Sequence, residues 1–201
     1  PSWKEVPLRD RLERRYGRPV TVNNDANAFA AGEKHFGKAR PYDHAVGLIV
    51  GTGLGAGIIA NGRLYSGASC GAGEFGMLPY LDRDFEAYAS GQFFERAHGA
   101  SGRELAARAE AGDAAALAAF AEFGRHLGEA LKVICYAVDP EIVVLGGSVS
   151  KSFGFFRAAL WEAFGTYAYS LARERLKIEV SETEGIAILG AAALYLDARR
   201  G

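Results

Sequence analysis

Residues 45–65 read AVGLIVGTGLGAGIIANGRLY, and the fold turns on this stretch. Ala45 to Val50 is an apolar run of strand length, as expected of a buried strand. Gly57 to Ala60 is a second such run and the expected hairpin partner of the first. Asn61-Gly62 is a two-residue turn signal that leads into Arg63-Leu64-Tyr65, because both residues tolerate positive φ. Between the first two runs lies Gly51-Thr52-Gly53-Leu54-Gly55-Ala56-Gly57. Glycines let backbone N–H groups approach a phosphate closely, and Thr52 adds a hydroxyl. The run is neither a P-loop nor a dinucleotide fingerprint: no Gly-Lys-Ser/Thr follows it, and the next segment reads as a strand. Taken alone, it is equally a glycine-rich hairpin turn.

Upstream, Pro7 to Tyr16 reads as a short helix, with Leu8 and Leu12 on one face and Gly17 at its end. Pro19 to Val22 reads as a short strand. Asn24 or Asp25 then caps a helix running to about His35. Downstream, Ser66 to Gly76 is a glycine-rich loop, and helices start near Gly91 and Gly102. The alanine-rich stretch from Asp113 to Val138 reads as one long helix, capped by Asp113 and followed by Asp139-Pro140. Glu141 to Leu145 is a buried strand ending in Gly146-Gly147. A helix over Phe155 to Phe164, a strand over Lys177 to Val180 and a terminal helix over Ala187 to Ala198 complete an α/β pattern with a mixed sheet.

The chain has 201 residues, 49% hydrophobic, with a net charge of -1. That composition provides a core and argues against a polyanion-binding surface spread over the whole chain. No apolar run approaches the ~20 residues of a membrane helix, and Pro1-Ser2-Trp3-Lys4-Glu5 does not resemble a signal peptide. Cys70 and Cys135 make no disulfide framework. His35, His44, His98 and His126 form no close ligand pair, so no metal site of Cys and His is expected. These features read as a cytoplasmic protein. The chain lacks an initiator Met and opens inside a helix-bearing segment, which reads as part of a longer protein.

Asn23-Asn24-Asp25-Ala26-Asn27 places an acid at a strand-to-helix junction, where α/β folds bind ligands. A carboxylate there either accepts the proton of a hydroxyl attacking a phosphate or caps the helix. Asn24 has the same two readings, its amide being able to donate to and accept from sugar hydroxyls. Gly71-Ala72-Gly73-Glu74-Phe75-Gly76 and Glu86 add two carboxylates near glycine-rich backbone, fit for vicinal hydroxyls, although a lone Glu86 also reads as a solvated surface residue. Val143-Val144-Leu145-Gly146-Gly147-Ser148 is a strand exit with room for a flat ring on its backbone, or an ordinary strand end. Phe93, Phe94, Phe120 and Phe123 read as core. An acid beside a phosphate-holding turn points to phosphoryl transfer onto a small polyol.

In this order and spacing the motifs resemble the ROK family of sugar kinases and sugar-responsive repressors. The matching stretches are residues 19–28, Gly51 to Gly57, Gly62 to Ala68, Ala72 to Gly76, Tyr88 to Gly91 and Val144 to Gly147. The resemblance runs from about Trp3 to Leu194. It implies an actin-like ATPase (ribonuclease H-like) lobe with a mixed β-sheet flanked by helices, and phosphoryl transfer from Mg-ATP to a hexose. In that frame Asp25 matches the catalytic base, and Asn24, Glu74 and Glu86 match sugar-hydroxyl ligands. Gly51, Thr52, Gly53 and Gly55 match the second phosphate loop, and Gly146 with Gly147 the adenosine-side glycines. A homodimer is implied, with Phe153, Phe155 and Phe156 read either as interface or as core. No nucleic acid is expected to bind through this chain.

Two departures stand out. Met77 occupies the position of a family histidine, and Leu78-Pro79-Tyr80-Leu81-Asp82-Arg83-Asp84 replaces a cysteine-rich zinc loop. No structural zinc is therefore expected, and the identity of the sugar stays open. The chain also matches only the C-terminal lobe across residues 1–201, without the lobe carrying the first phosphate loop. Alone, it is expected to bind nucleotide weakly and turn over poorly. The competing reading is a non-enzymatic repressor or sugar sensor, distinguished by a helix-turn-helix upstream.

Overall fold

The glycine turn folds the chain back on itself. In the computed structural model, which describes residues 6–197, Val50 pairs with Leu54 and the intervening residues make the turn. In chain order the elements are α1 (Leu8–Tyr16), α2 (Asp25–Phe36), β1 (Ala45–Val50), β2 (Leu54–Ala60), β3 (Arg63–Tyr65), β4 (Pro79–Tyr80), β5 (Arg83–Asp84), α3 (Phe85–Ala89), α4 (Gln92–His98), α5 (Gly102–Glu110), α6 (Ala114–Val138), β6 (Ile142–Gly146), α7 (Phe153–Phe164), α8 (Ser170–Arg175), β7 (Lys177–Val180) and α9 (Ile186–Asp197). Short 3₁₀ turns occupy Phe75–Met77 and Val149–Ser152.

The main sheet has the order β3-β2-β1-β6-β7. The β3-β2-β1 meander is antiparallel, and β6 and β7 add in parallel to it. Strand side chains alternate between faces. Val46, Leu48, Val50, Val143 and Leu145 therefore enter the larger core, with α6 and α7. Ala45, Ile142 and Val144 point the other way, onto Phe29 and Ala30 of α2 and Ile186 of α9. Both faces are covered, which is why the central strands read as continuous apolar runs.

Helix α2 lies unusually close to the sheet. A methyl group at residue 57 would come within 2.5 Å of the Ala26 carbonyl oxygen, so only glycine permits this approach. On the opposite face α6 presents Ala116, Phe120, Phe123, Leu127, Leu131 and Ile134 inward at three- and four-residue spacing. Phe93, Phe94, Phe120 and Phe123 are all buried, as their spacing predicts, with Phe94 stacked on Phe123 at 5.0 Å between ring centres.

Several elements differ from their sequence reading. Pro19 to Val22 is not a strand: Val20 donates its N–H to Glu13 Oε1 at 3.0 Å, which ties the segment back to α1 instead of to a sheet edge. β2 starts at Leu54, three residues early, because the turn needs only residues 51–53. α7 starts at Phe153, continuing directly from the preceding 3₁₀ turn. Phe156 is fully buried, and Phe153 and Phe155 are partly buried and pack against the same core. The β4–β5 hairpin, α3 and α8 carried too short a pattern to be read from sequence. Residue 198 of the expected terminal helix lies outside the described residues.

Candidate functional site

Helix α2 begins where it does because Asn24 caps it. Asn24 has extended backbone, and its side-chain oxygen accepts the Asn27 N–H at 2.7 Å. Of the two candidate caps, Asn24 thus takes the role, and Asp25 becomes the first helical residue. Asp25 is exposed. Its Oδ1 accepts the Ala26 N–H at 2.9 Å, and its Oδ2 has no hydrogen-bond partner among the described residues. The carboxylate therefore keeps a whole oxygen for an incoming group. The Asn24 carboxamide nitrogen reaches away from the helix to the Cys70 carbonyl at 3.2 Å. A carboxamide has two donors and two acceptor positions, so Asn24 retains one of each.

The glycine turn is held from behind. The Gly51 carbonyl accepts the Gly91 N–H at 2.7 Å. The Thr52 carbonyl accepts from Ser90 Oγ at 3.1 Å and Gln92 Nε2 at 3.2 Å. Glu86 is half-buried; its Oε2 accepts the Leu54 N–H at 3.1 Å, and its Oε1 accepts from Gln92 Nε2 at 3.1 Å. With the carbonyls tied down, the N–H groups of Thr52 and Gly53 have no partner among the described residues. Adjacent free amides on a glycine-rich turn form an anion-binding concavity. Gly55 lies against Ala26, with 3.3 Å between that methyl and a Cβ built at residue 55, so the turn and the start of α2 share one wall of β2.

Glu74 is exposed, opens the 3₁₀ turn and makes no side-chain capping bond. Its loop is tied to Asn24 through Cys70 and packs on β2, where Gly76 sits against the Leu54 carbonyl. The Glu86 carboxylate has about four lone-pair positions, two of them used, and so remains open to a hydroxyl. Gly147 has φ 88°, the left-handed turn that ends β6, whereas Gly146 is buried against the Phe29 ring.

A cavity of about 460 Å³ opens beside the glycine turn, lined by Gly51, Thr52, Gln92, Arg103, Ser148 and Lys151 among others. It joins the turn to the β6 exit, so two motifs far apart in sequence meet at one hollow. Ser90, Gln92, Ser148 and Lys151 were not legible as site residues. Ser90 and Ser148 stand inside or beside quoted motifs, but their roles depend on where α4 and the β6 exit pack. A cavity of about 530 Å³ lies elsewhere, at the C-terminal end of α6, and contains none of the candidate residues.

The segment at the zinc-loop position forms the β4–β5 hairpin. Tyr80 stacks on Phe85 with 4.3 Å between ring centres, and its hydroxyl meets His126 Nδ1 at 3.1 Å. Met77 is exposed. Among the described residues no group of three or more His, Cys, Asp or Glu converges as a metal would require, and no helix is long and apolar enough to cross a membrane.

Comparison with known proteins places this architecture. The profile of the ROK family matches residues 1–198. A glucokinase from Thermotoga maritima is 32% identical over 182 residues, covering 76% of this chain and 57% of that protein. A xylose repressor from Bacillus subtilis is 31% identical over 169 residues, covering 75% of this chain and 43% of that protein. The crystal structure of a ROK family glucokinase from Streptomyces griseus, in complex with glucose and AMPPNP, superposes with a TM-score of 0.83 at 29% identity, covering 100% of this chain and 74% of that one. The mixed sheet flanked by helices is the actin-like ATPase fold of these kinases. The chain spans between two fifths and three fifths of the length of these two curated relatives.

Proposed function

This chain belongs to the ROK family, and from that premise we propose that it is the C-terminal lobe of a cytoplasmic sugar kinase that transfers a phosphoryl group from ATP to a hexose hydroxyl. One observation carries the reading: an exposed carboxylate with an unengaged oxygen, Asp25, opens the helix whose start packs on β2, the strand that leaves a glycine turn with two unengaged amides. In a sensor the sugar must be held, but nothing needs to accept its proton.

The sugar hydroxyl donates to Asp25 Oδ2 while its oxygen attacks the γ-phosphorus. The O–P bond forms, the bond to the β-phosphate oxygen breaks, and the proton passes to Asp25. Asn24, Glu74 and Glu86 orient the sugar by hydroxyl hydrogen bonds. The Thr52 and Gly53 amides, with Gly51 and Gly55 shaping the turn, bind the phosphates, and Gly146 and Gly147 flank the nucleoside. Magnesium would be held chiefly by the substrate phosphates, which leaves Asp25 Oδ2 free to take the sugar proton. When bound, it neutralises charge on the phosphates. The sugar is a hexose, and Met77 stands where selection among hexoses would act. The assembly is proposed to be a homodimer.

The test is ADP release by the full-length protein with Mg-ATP and a hexose panel, beside Asp25→Asn. Sugar-dependent turnover that falls by roughly 10²-fold or more in the variant is expected. The similarity to a repressor supports a second reading, a non-enzymatic sugar sensor; sugar binding with no turnover on any hexose would select it.

A further inference from the structure

Asn27 presents a physical problem. It is fully buried in α2 between Ala26 and Ala28, in a row of buried alanines, and its side-chain oxygen has no hydrogen-bond partner among the described residues. An unpaired buried polar atom costs stability, and an alanine would continue the row without that cost. What Asn27 does have is a donor. Its Nδ2 gives a hydrogen bond to Asn23 Oδ1 at 2.8 Å, and the same oxygen accepts the Asn24 N–H at 2.9 Å. Asn23 in turn directs its Nδ2 to Ser66 Oγ at 3.4 Å. Asn24 joins the arrangement twice, through the Asn27 N–H and the Cys70 carbonyl.

The three asparagines thus form one latch. On one side it fixes the turn that carries Asp25. On the other it grips both ends of the stretch from Ser66 to Cys70, which Ala72 closes by donating its N–H to the Ser66 carbonyl at 3.1 Å. This loop leads directly to Glu74. Cys70 has φ 58° and Gly67 has φ 71°, so the loop follows a specific backbone path and not a relaxed one. The Asn24 carboxamide is oriented by the same bonds: its oxygen faces the helix and its nitrogen faces Cys70.

We infer that Asn23 and Asn27 are positioning residues that preassemble the sugar side of the site, holding the Ser66–Glu74 loop and the Asn24 amide in register with Asp25. The inference rests on the sugar-kinase reading for its consequence, but its physical content is the coupling of α2 to the loop. A residue kept only for stability would lose stability when removed. Asn27 is expected to lose function instead, because its removal eliminates an unpaired buried oxygen.

The experiment uses the full-length protein and compares Asn27→Ala, Asn23→Ala and Asn23→Asp with the unaltered chain. Asn23→Asp keeps the oxygen that accepts both N–H groups, and the Ser66 hydroxyl can donate to it, so it is the conservative rescue. Two readouts are taken. Alkylation of Cys70 by iodoacetamide, followed by mass spectrometry, reports release of the loop without reference to catalysis. Kinetics report whether KM for sugar rises while KM for ATP holds. In Asn27→Ala and Asn23→Ala, Cys70 is expected to be alkylated about tenfold faster and KM for sugar to rise by about tenfold, the scale of one lost hydrogen bond. The melting temperature of Asn27→Ala should not fall, and Asn23→Asp should behave as the parent. Unchanged Cys70 labelling in both alanine variants overturns the latch. So does a uniform loss of stability with an unchanged KM for sugar. If Asn27→Ala does not fold, the Asn23 pair decides by the same two readouts. If the parent phosphorylates no hexose, the function proposed above fails, while the labelling result still accepts or rejects the latch.

Discussion

At the scale of single residues, the site is defined by which polar atoms are engaged and which are left over. Asn24 is the clearest case, because its two roles can be separated chemically. Asp is as good a helix cap as Asn, but a carboxylate cannot donate to the Cys70 carbonyl. Asn24→Asp is therefore expected to keep the helix and the melting temperature nearly intact while weakening sugar affinity. Asn24→Ala should also lose about 1 kcal/mol of stability with the cap. Thermal melts and sugar titrations of the two variants make the comparison. The cysteines offer a second test. Burial, reinforced by Asp139 nearby, pushes the Cys135 thiol up to about 12, whereas Cys70 is half-exposed. With so little thiolate near pH 8, Cys135 is expected to resist a disulfide reagent in the native protein and to react only after unfolding, while Cys70 reacts first. Thiol titration with and without denaturant distinguishes them.

At the scale of elements, two junctions hold the site's supports together. Glu33, buried on α2, accepts the Lys38 N–H at 2.8 Å and the Ser181 hydroxyl. Lys38 itself reaches Glu182 at 2.7 Å and Glu179 at 3.1 Å, binding the end of α2 to β7 and the segment after it. Glu33→Ala leaves a donor from each side unpaired and is expected to cost about 1–3 kcal/mol, or several degrees of melting temperature. The second junction is the β4–β5 hairpin on α6. Burial lowers the pKa of His126, which Tyr80, Tyr88 and Phe93 surround; Arg125 and Arg96 act in the same direction, and Glu122 and Glu129 oppose them. The folded state thus takes up a proton less readily than the unfolded one. Stability from this residue is complete above the ordinary imidazole pKa of about 6.5 and is lost as pH falls below it. Melting curves from pH 7.5 to 5 should show a smaller acid-side loss in His126→Asn than in the parent.

At the scale of the whole molecule, the core is built around one five-stranded sheet. The sheet is covered on both faces, yet α9 is apolar on its outer side as well, with Ile188 78% exposed while Gly190 and Ala193 are buried. An all-round apolar helix belongs in an interior. The chain covers 57% of the Thermotoga maritima glucokinase. By itself it is expected to bind ATP weakly and to phosphorylate sugar at a small fraction of the full-length rate. Calorimetry and ADP release on the two proteins side by side measure this, and equal turnover would refute it.

Sequence alone determined the strands β1 and β6, the presence of β2 though not its start, the long α6, and the identity of the ordered motifs. These are decided by local physics: unbroken apolar runs, a turn dipeptide and a cap residue act within a few positions of themselves. It also singled out Asp25, Asn24 and the glycine turn as candidates, each with a plain structural reading beside the functional one, because acids and amides cap helices and glycines make turns. Tertiary structure decided the rest. It settled that Asn24 caps and Asp25 does not, since both fit the local pattern and only the backbone at residue 24 separates them. It turned Glu86 toward the Leu54 amide, gave Gly146 to Phe29 and Gly147 to the turn, and brought Ser90 and Gln92 behind Thr52. Apart from the Gly147 turn, each of these is a contact between segments tens of residues apart. Such contacts are fixed by how α2, α3 and α4 pack on the sheet, and no short window of sequence contains that information.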